Sequence, residues 1–291
     1  MDRPAGGART LAGATMTLLA IESATDMVGV ALLRDDGGSA ERVHLGGRAH
    51  AELLAPAIEE VCAVSGCTVA DIDQIAVDVG PGLFTGLRVG VATAKALGQA
   101  LGIPLLGVGS LDVLAAAVGD AGDEEPGAGG AGPVASVVDA RRGEVFAAAF
   151  RFDRTGPGAG GRGSLPIDPE AVRDDRPEPM APEVLVAWLV GLVAEGGPIL
   201  VVGDGAVRYR QLLSVHAGLD LRLAEELSAP PPLALARLAR RRLDRGATPT
   251  APAQLVPDYR RPADARINWE QRIPHRPGAP GHRSPADTTR T

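Results

Sequence analysis

The chain has 291 residues, 45% hydrophobic and 22% charged, with a formal net charge of −7 and a pI near 5.3. That length builds one large domain or two ordinary ones, and the acidic balance argues against a general nucleic-acid binder, which draws affinity from a concentrated basic surface. No apolar run reaches membrane-span length, the N-terminus lacks the apolar core of a signal peptide, and Cys62 and Cys67 make neither a disulfide framework nor a four-ligand zinc set, so a cytoplasmic setting is expected.

Aromatic residues make up 3% of the chain, so Ala, Val, Leu and Ile must build its core. Lys95 is the only lysine, a bias that goes with the abundant Ala and Gly. Residues 1–15 read as a disordered leader ahead of Met16. Apolar runs at 18–22, 27–33 and 40–45, joined by turns at 23–26 and 35–38, predict a three-stranded antiparallel meander. Leu53, Leu54, Ala57, Ile58 and Val61 recur at helical spacing over 49–65, with Pro56 predicting a kink or break and Gly66 a stop. A buried strand in DIDQIAVDVGPG, a helix in TGLRVGVATAKALGQALG and a strand in IPLLGVGS follow. A third helix in SLDVLAAAVGD has Ser110 as its expected N-cap.

The order β-β-β-α-β-α-β-α predicts a first domain over 16–119, a mixed sheet with helices on its faces. Residues 120–133 are a Gly-rich linker. PVASVVDARRGEVFAAAFRF repeats the strand–turn–strand opening, with Asp139 standing where Glu22 stands, which suggests a second copy of the unit over 134–262. Within it, 153–180 is expected to be a flexible insertion. PEVLVAWLVGLVAEGG, PILVVGDGAVRYRQLL and PLALARLARRRLDRG supply the remaining helices and a strand. Residues 263–291 are polar, proline-rich and expected to be disordered.

The stretch 77–98, VDVGPGLFTGLRVGVATAKALG, looks like a phosphate loop but fits neither template. A Walker loop needs Lys-Ser/Thr after its last glycine, where Leu87 and Arg88 follow Gly86. Gly80, Gly82 and Gly86 are one residue too widely spaced for a dinucleotide fingerprint. Anion binding by free N–H groups at the helix start stays physically open, so Glu22, Ser23, Gly80, Gly82, Gly203 and Gly205 stand as candidate nucleotide-binding positions. Gly86, Gly90 and Ala94 recur every four residues and line one helix face. Interior glycines cost about 1 kcal/mol each relative to alanine. The thin face therefore serves either close packing inside the chain or docking of another protein. His44 and His50 lack the spacing of a helical metal pair and read as solvated, as do Arg141 and Arg142. No Ser/His/Asp set, Cys/His set or HExxH motif is present, and no metal site is assigned.

LLAIESATDMVGVALL, HAELLAPAIEEV, VDARRGEVFAAAF and above all GPGLFTGLRVGVATAK together resemble the TsaB (YeaZ) family, bacterial tRNA threonylcarbamoyladenosine biosynthesis proteins. The likeness runs through 17–118 and continues more loosely to about residue 260. It implies an α/β fold of two RNase H-like domains of the actin/sugar-kinase/Hsp70 kind: a mixed five-stranded sheet flanked by helices in the first, and a reduced second. It also implies a non-catalytic partner of the catalytic paralogue TsaD, acting with the ATPase TsaE and with threonylcarbamoyl-AMP synthase upstream, in forming t6A at adenosine 37 of tRNA. The family pattern implies no cofactor required by this chain, ATP or ADP–Mg at the assembled complex, tRNA contacted only in that complex, and no membrane. Members dimerise through the first-domain helices and bind TsaD with the same surface. Here those helices are about 49–65 and 85–101, which assigns Leu53, Leu54, Ile58, Gly86, Leu87, Arg88, Gly90, Val91 and Ala94 to the interface.

The chain lacks the paralogue's H-x-x-x-H pair, which agrees with a non-catalytic role. It departs from the family in having Glu22 where many members have aspartate, and in its insertions at 119–133 and 153–180. The competing readings are a small-molecule kinase or peptidase-like enzyme on the same fold, and a direct tRNA binder using the arginines of 237–245 and 260–272.

Overall fold

Strand β1 (Thr17–Glu22) is buried along its whole length, β2 (Met27–Arg34) over its first six residues, and β3 (Ser39–Leu45) alternates between half-buried and exposed. That gradient is the signature of a centre, a neighbour and an edge, and it sets the order of the meander. β4 (Gln74–Gly80) and β5 (Leu105–Gly109) join in parallel on the other side of β1, so the sheet runs β3-β2-β1-β4-β5. Helices α1 (His50–Val64) and α2 (Phe84–Leu101) cover one face, and α3 (Ser110–Asp120) lies on the other. The computed structural model describes residues 16–46, 49–120, 133–151, 170–173, 178–215 and 220–260. The leader 1–15, most of the linker, most of the insertion and the tail from 261 lie outside the described residues.

A second sheet repeats the plan. β6 (Val134–Arg141), β7 (Glu144–Arg151), β8 (Glu170–Arg173), β9 (Ile199–Val202) and β10 (Leu221–Ala224) run β10-β9-β6-β7-β8. Substituting β6 for β1 and continuing in chain order gives the same topology, with the same antiparallel and parallel pairings. The internal repeat is therefore real. The second copy is reduced in strand length, since β8, β9 and β10 have four residues each. β8 falls inside the stretch expected to be a flexible insertion. A four-residue edge strand among charges and prolines leaves almost no periodic signal.

Three further expectations are corrected. Pro56 does not break α1, which runs on through it. Pro56 sits on the exposed face, where the carbonyl it leaves unbonded can take water. Ser110 is the first residue of α3, and its hydroxyl donates to Asp78 instead of capping the helix. Helix α7 (Pro232–Asp244), read from sequence as part of the second unit, packs on β1 and β2 of the first sheet.

α3 is apolar nearly all round because two layers use it. Val113, Ala116 and Ala117 meet α7 and the first sheet, while Leu111, Leu114, Ala115 and Val118 meet the second sheet. A helix buried on both sides has no polar face to show. The second sheet's far face is closed by α4 (Pro182–Gly196) through Leu185, Leu189 and Leu192. Short helices α5 (Asp204–Arg208) and α6 (Arg210–Val215) complete the chain's second half. Among the described residues no helix is long and apolar enough to cross a membrane.

After α7 the chain returns to the first sheet as a strap. Leu105 and Thr250 exchange backbone hydrogen bonds at 2.8 and 2.7 Å, Leu255 is buried in the core beside α2, and Asp258 N–H donates to Val79 at 2.7 Å. The strap thus covers β5, which would otherwise be a bare sheet edge.

Candidate functional site: the glycine loop and the acidic strand ends

The loop that looked like a phosphate cradle is filled by the chain itself. Leu83 N–H donates to the Ala24 carbonyl at 2.6 Å, and Ser23 Oγ donates to the Gly86 carbonyl at 3.0 Å. A Cβ added at Gly82 would stand 2.2 Å from the Ala24 oxygen, at Gly86 2.0 Å from the Ser23 oxygen, and at Gly90 2.2 Å from Ser23 Oγ. These glycines exist so that α2 can lie directly on the β1–β2 turn. Of the two uses their spacing allowed, packing inside the chain is the one realised.

The interface assignment is corrected accordingly. Leu54, Ile58, Gly86, Leu87, Gly90, Val91 and Ala94 are all buried within the monomer. Only Arg88 is exposed, and Leu53 is half-buried. Helical periodicity finds the buried face of a helix, and here that face is taken up inside the chain.

The six nucleotide candidates are likewise taken up by internal contacts. Gly80 (φ 107°) has Leu87 and the Asp258 carbonyl within 3.3 Å of where its Cβ would be. Gly203 (φ 105°) would meet the Val137 oxygen at 2.1 Å, and Gly205 the β6 backbone at 3.0 Å. Glu22 and Ser23 are buried.

What the fold does bring together is a set of carboxyl groups at equivalent strand ends. In the first repeat Glu22 ends β1, and Asp78 lies near the end of β4. Glu22 Oε1 accepts Ala24 N–H at 2.8 Å; Asp78 Oδ1 accepts Gly80 N–H and Ser110 Oγ–H, both at 2.7 Å. Both carboxyls are fully buried, and burial pushes both pKa values up, that of Glu22 well above the usual range. In the second repeat Asp139 lies near the end of β6 and Asp204 follows β9. Asp204 Oδ1 accepts Asp139 N–H at 2.8 Å, and burial pushes the Asp204 carboxyl up to about 6. Asp139 Oδ2 receives Arg141 and Arg208, each at 3.2 Å, and Arg141 reaches on to Asp26 in the β1–β2 turn at 2.8 Å. Arg141 is therefore a bridge between the two repeats, not a solvated turn residue. His50 is buried too, its Nε2 2.9 Å from the Thr25 carbonyl, which makes that nitrogen the donor. Among the described residues no group of three or more His, Cys, Asp or Glu side chains is placed to hold a metal ion.

Sequence reasoning missed several contributors. Lys95 looked like a compositional accident, yet its Nζ donates to the Ala253 and Leu255 carbonyls at 3.3 and 3.0 Å and fastens the strap. Arg88 lies 3.9 Å over the Phe84 ring and hydrogen-bonds the Tyr259 hydroxyl at 3.3 Å, joining the strap to the start of α2. The solitary lysine was the available signal; its partners are main-chain carbonyls about 160 residues away, which no local pattern reveals. The arginines of α7, considered as phosphate contacts, are matched to aspartates. Arg241 pairs with Asp120 and Arg242 with Asp112, both at 2.9 Å, while Arg240 pairs with Asp244 and Asp35. Residues 261–272 lie outside the described residues.

Two sheets of identical topology, with acidic residues at the ends of the first and fourth strands of each, define a duplicated α/β protein of RNase H-like fold. YeaZ from Pseudomonas aeruginosa has the same fold, with a TM-score of 0.62 at 23% identity over 84% of this chain and 99% of that one. Residues 44–157 match the family of TsaD, tRNA N6-adenosine threonylcarbamoyltransferase. The tRNA threonylcarbamoyladenosine biosynthesis protein TsaB of Bacillus subtilis is 30% identical over 258 residues, spanning 87% of this chain and 98% of that protein. An uncharacterised Mycobacterium tuberculosis protein is 43% identical over 136 residues, and the match spans 59% of that relative's length. The chain belongs to the TsaB family.

Proposed function

We propose that this chain is the accessory, non-catalytic subunit of the tRNA t6A-forming machinery, binding and activating the catalytic paralogue TsaD together with the ATPase TsaE. The observation that carries the reading is the end-to-end likeness to the TsaB of Bacillus subtilis. The match of 44–157 to the TsaD family supports it, since it makes a protein of related fold the natural partner. Threonylcarbamoyl-AMP synthase supplies the pathway, tRNA is met in the complex, and ATP or ADP–Mg belongs to that complex instead of to this chain.

With the glycine face turned inward, docking falls to the outer faces of α1 and α2. There Ala51, Ala55 and Ala63 of α1 and Ala92, Ala96 and Ala100 of α2 are exposed, a surface low enough for another helix pair to approach. Two copies of the chain would meet on the same surface when the partner is absent. The test is reconstitution of tRNA modification with TsaD, TsaE and the synthase, with and without this chain, alongside Ala92→Arg. That substitution changes an exposed helix position and should leave stability within about 0.5 kcal/mol, while abolishing capture of TsaD and the modification it supports. Full modification without the chain, or undiminished capture by Ala92→Arg, would overturn the proposal.

A further inference from the structure

Glu22 and Asp78 present an accounting problem that their neighbours do not solve. Glu22 Oε1 is satisfied by Ala24 N–H, and Asp78 Oδ1 by Gly80 N–H and Ser110 Oγ–H. The second oxygen of each, Glu22 Oε2 and Asp78 Oδ2, is buried and, among the described residues, receives no hydrogen bond. Both residues are 0% exposed, and they directly follow the register pair Ile21–Val77 on neighbouring parallel strands, so their side chains stand next to each other on one face of the sheet. Two facing carboxylates without a cation would repel inside the protein, where charge is weakly screened. One proton between them removes the repulsion and satisfies both orphaned oxygens at once. A divalent cation asks for about six oxygen ligands, and among the described residues no third carboxylate, histidine or cysteine completes such a set.

We infer that Glu22 and Asp78 share a single proton, and that this carboxylic acid–carboxylate pair is the latch holding the β1–β2 turn against the glycine loop that starts α2. The position of the latch gives it reach. Glu22 is followed directly by Ser23 and Ala24, the residues on which Gly82, Gly86 and Gly90 lie, and Asp78 holds Gly80 at the other end of the same contact. Loss of the proton places two negative charges side by side at the ends of β1 and β4, on the sheet face that α3 covers and directly beneath the turn and the glycine loop that they hold. The surrounding groups reinforce the preference for the protonated pair: Asp112 of α3 adds negative charge toward Asp78, and Asp204 of α5 toward Glu22. Asp139 of β6 is already paired with Arg141 and Arg208, and His50 of α1 is committed to the Thr25 carbonyl. The latch concerns the fold of this chain alone and stands whether or not TsaD is its partner.

The experiment follows the denaturation midpoint of the full chain from neutral to alkaline pH, for wild type and for Glu22→Gln. It is joined by infrared detection of the protonated carboxylic-acid carbonyl. The glutamine keeps an oxygen for Ala24 and offers an N–H to Asp78, so it imitates the protonated acid permanently. Expected are a wild-type midpoint that falls as pH rises, a flatter profile in Glu22→Gln, and a carboxylic-acid band that Glu22→Gln lacks. Asp78→Asn, whose amide can donate to Glu22, is the second variant if the first does not fold. Superimposable pH profiles, or an infrared band unchanged in the variant, would overturn the inference. So would magnesium chloride raising the wild-type midpoint but not that of Glu22→Gln, which would make the pair a cation site.

Discussion

The two repeats share a topology and place acidic side chains at the same strand ends, but they neutralise them differently. In the first, Glu22 and Asp78 are sealed from solvent and stand side by side on neighbouring parallel strands. In the second, Asp139 is met by Arg141 and Arg208, whose side chains are 38% and 52% exposed. A common scaffold therefore delivers carboxylates to a fixed place, and local packing decides what compensates them. The first repeat closes over its pair with the start of α3, whose Ser110 donates to Asp78. The second, with shorter strands and the small helix α5, leaves room for arginines to reach in from the surface.

The largest expected effect tests the tight closure of the first repeat. Gly86→Ala forces a methyl group to within 2.0 Å of the Ser23 carbonyl, which real Cβ atoms do not tolerate, so α2 must shift or the turn must open. A loss of about 3 kcal/mol or more is expected by chemical denaturation. An unchanged midpoint would mean that the seam is not the rigid contact described. By the same geometry Gly90→Leu should unfold the protein outright, and so is unsuited to separating partner binding from folding.

An intermediate effect tests the second repeat. Asp204 is half-buried, and desolvation raises its folded pKa to about 6 from 3.8. The folded state thus holds this proton more tightly than the unfolded state. Stability from this group is complete below the unfolded value and is lost as pH rises through about 6, a change of roughly 3 kcal/mol. Asp204→Asn keeps an oxygen for Asp139 N–H and carries no charge, so the loss of stability between acid and neutral pH should shrink. An identical slope in the variant would place the titration elsewhere.

The smallest effect concerns the strap. Lys95→Ala removes a cation from two main-chain carbonyls, one of them part-buried. It should cost on the order of 1–2 kcal/mol, with faster hydrogen exchange across 250–260. Exchange unchanged there would show that Leu255 and the pairing of Thr250 with Leu105 hold the strap unaided.

Much of the fold was legible because buried strands and amphipathic helices carry their periods in the sequence. The meander, the alternating helices and strands of the first repeat, and the second strand–turn–strand opening all follow from apolar spacing. β8 was not legible, since four residues cannot display a period. Nor was the return of α7 to the first sheet, because its apolar stripe shows that it packs and not on what. The site divides in the same way. Gly86, Gly90 and Ala94 announced a close approach, and the family likeness suggested another protein as the approaching surface. The backbone of Ser23 and Ala24 is what lies there.

Taken alone, the sequence determined the family, the duplicated plan and the demand for a thin-faced helix after β4. These depend on residue order within one element, or between elements adjacent in the chain. The tertiary structure decided which face of that helix is free, that Glu22 meets Asp78, that Arg141 ties the repeats together, and that Lys95 anchors the strap. Each of those contacts joins residues tens to more than a hundred positions apart. Contacts of that kind are settled by how layers stack, a property no single stretch of residues encodes.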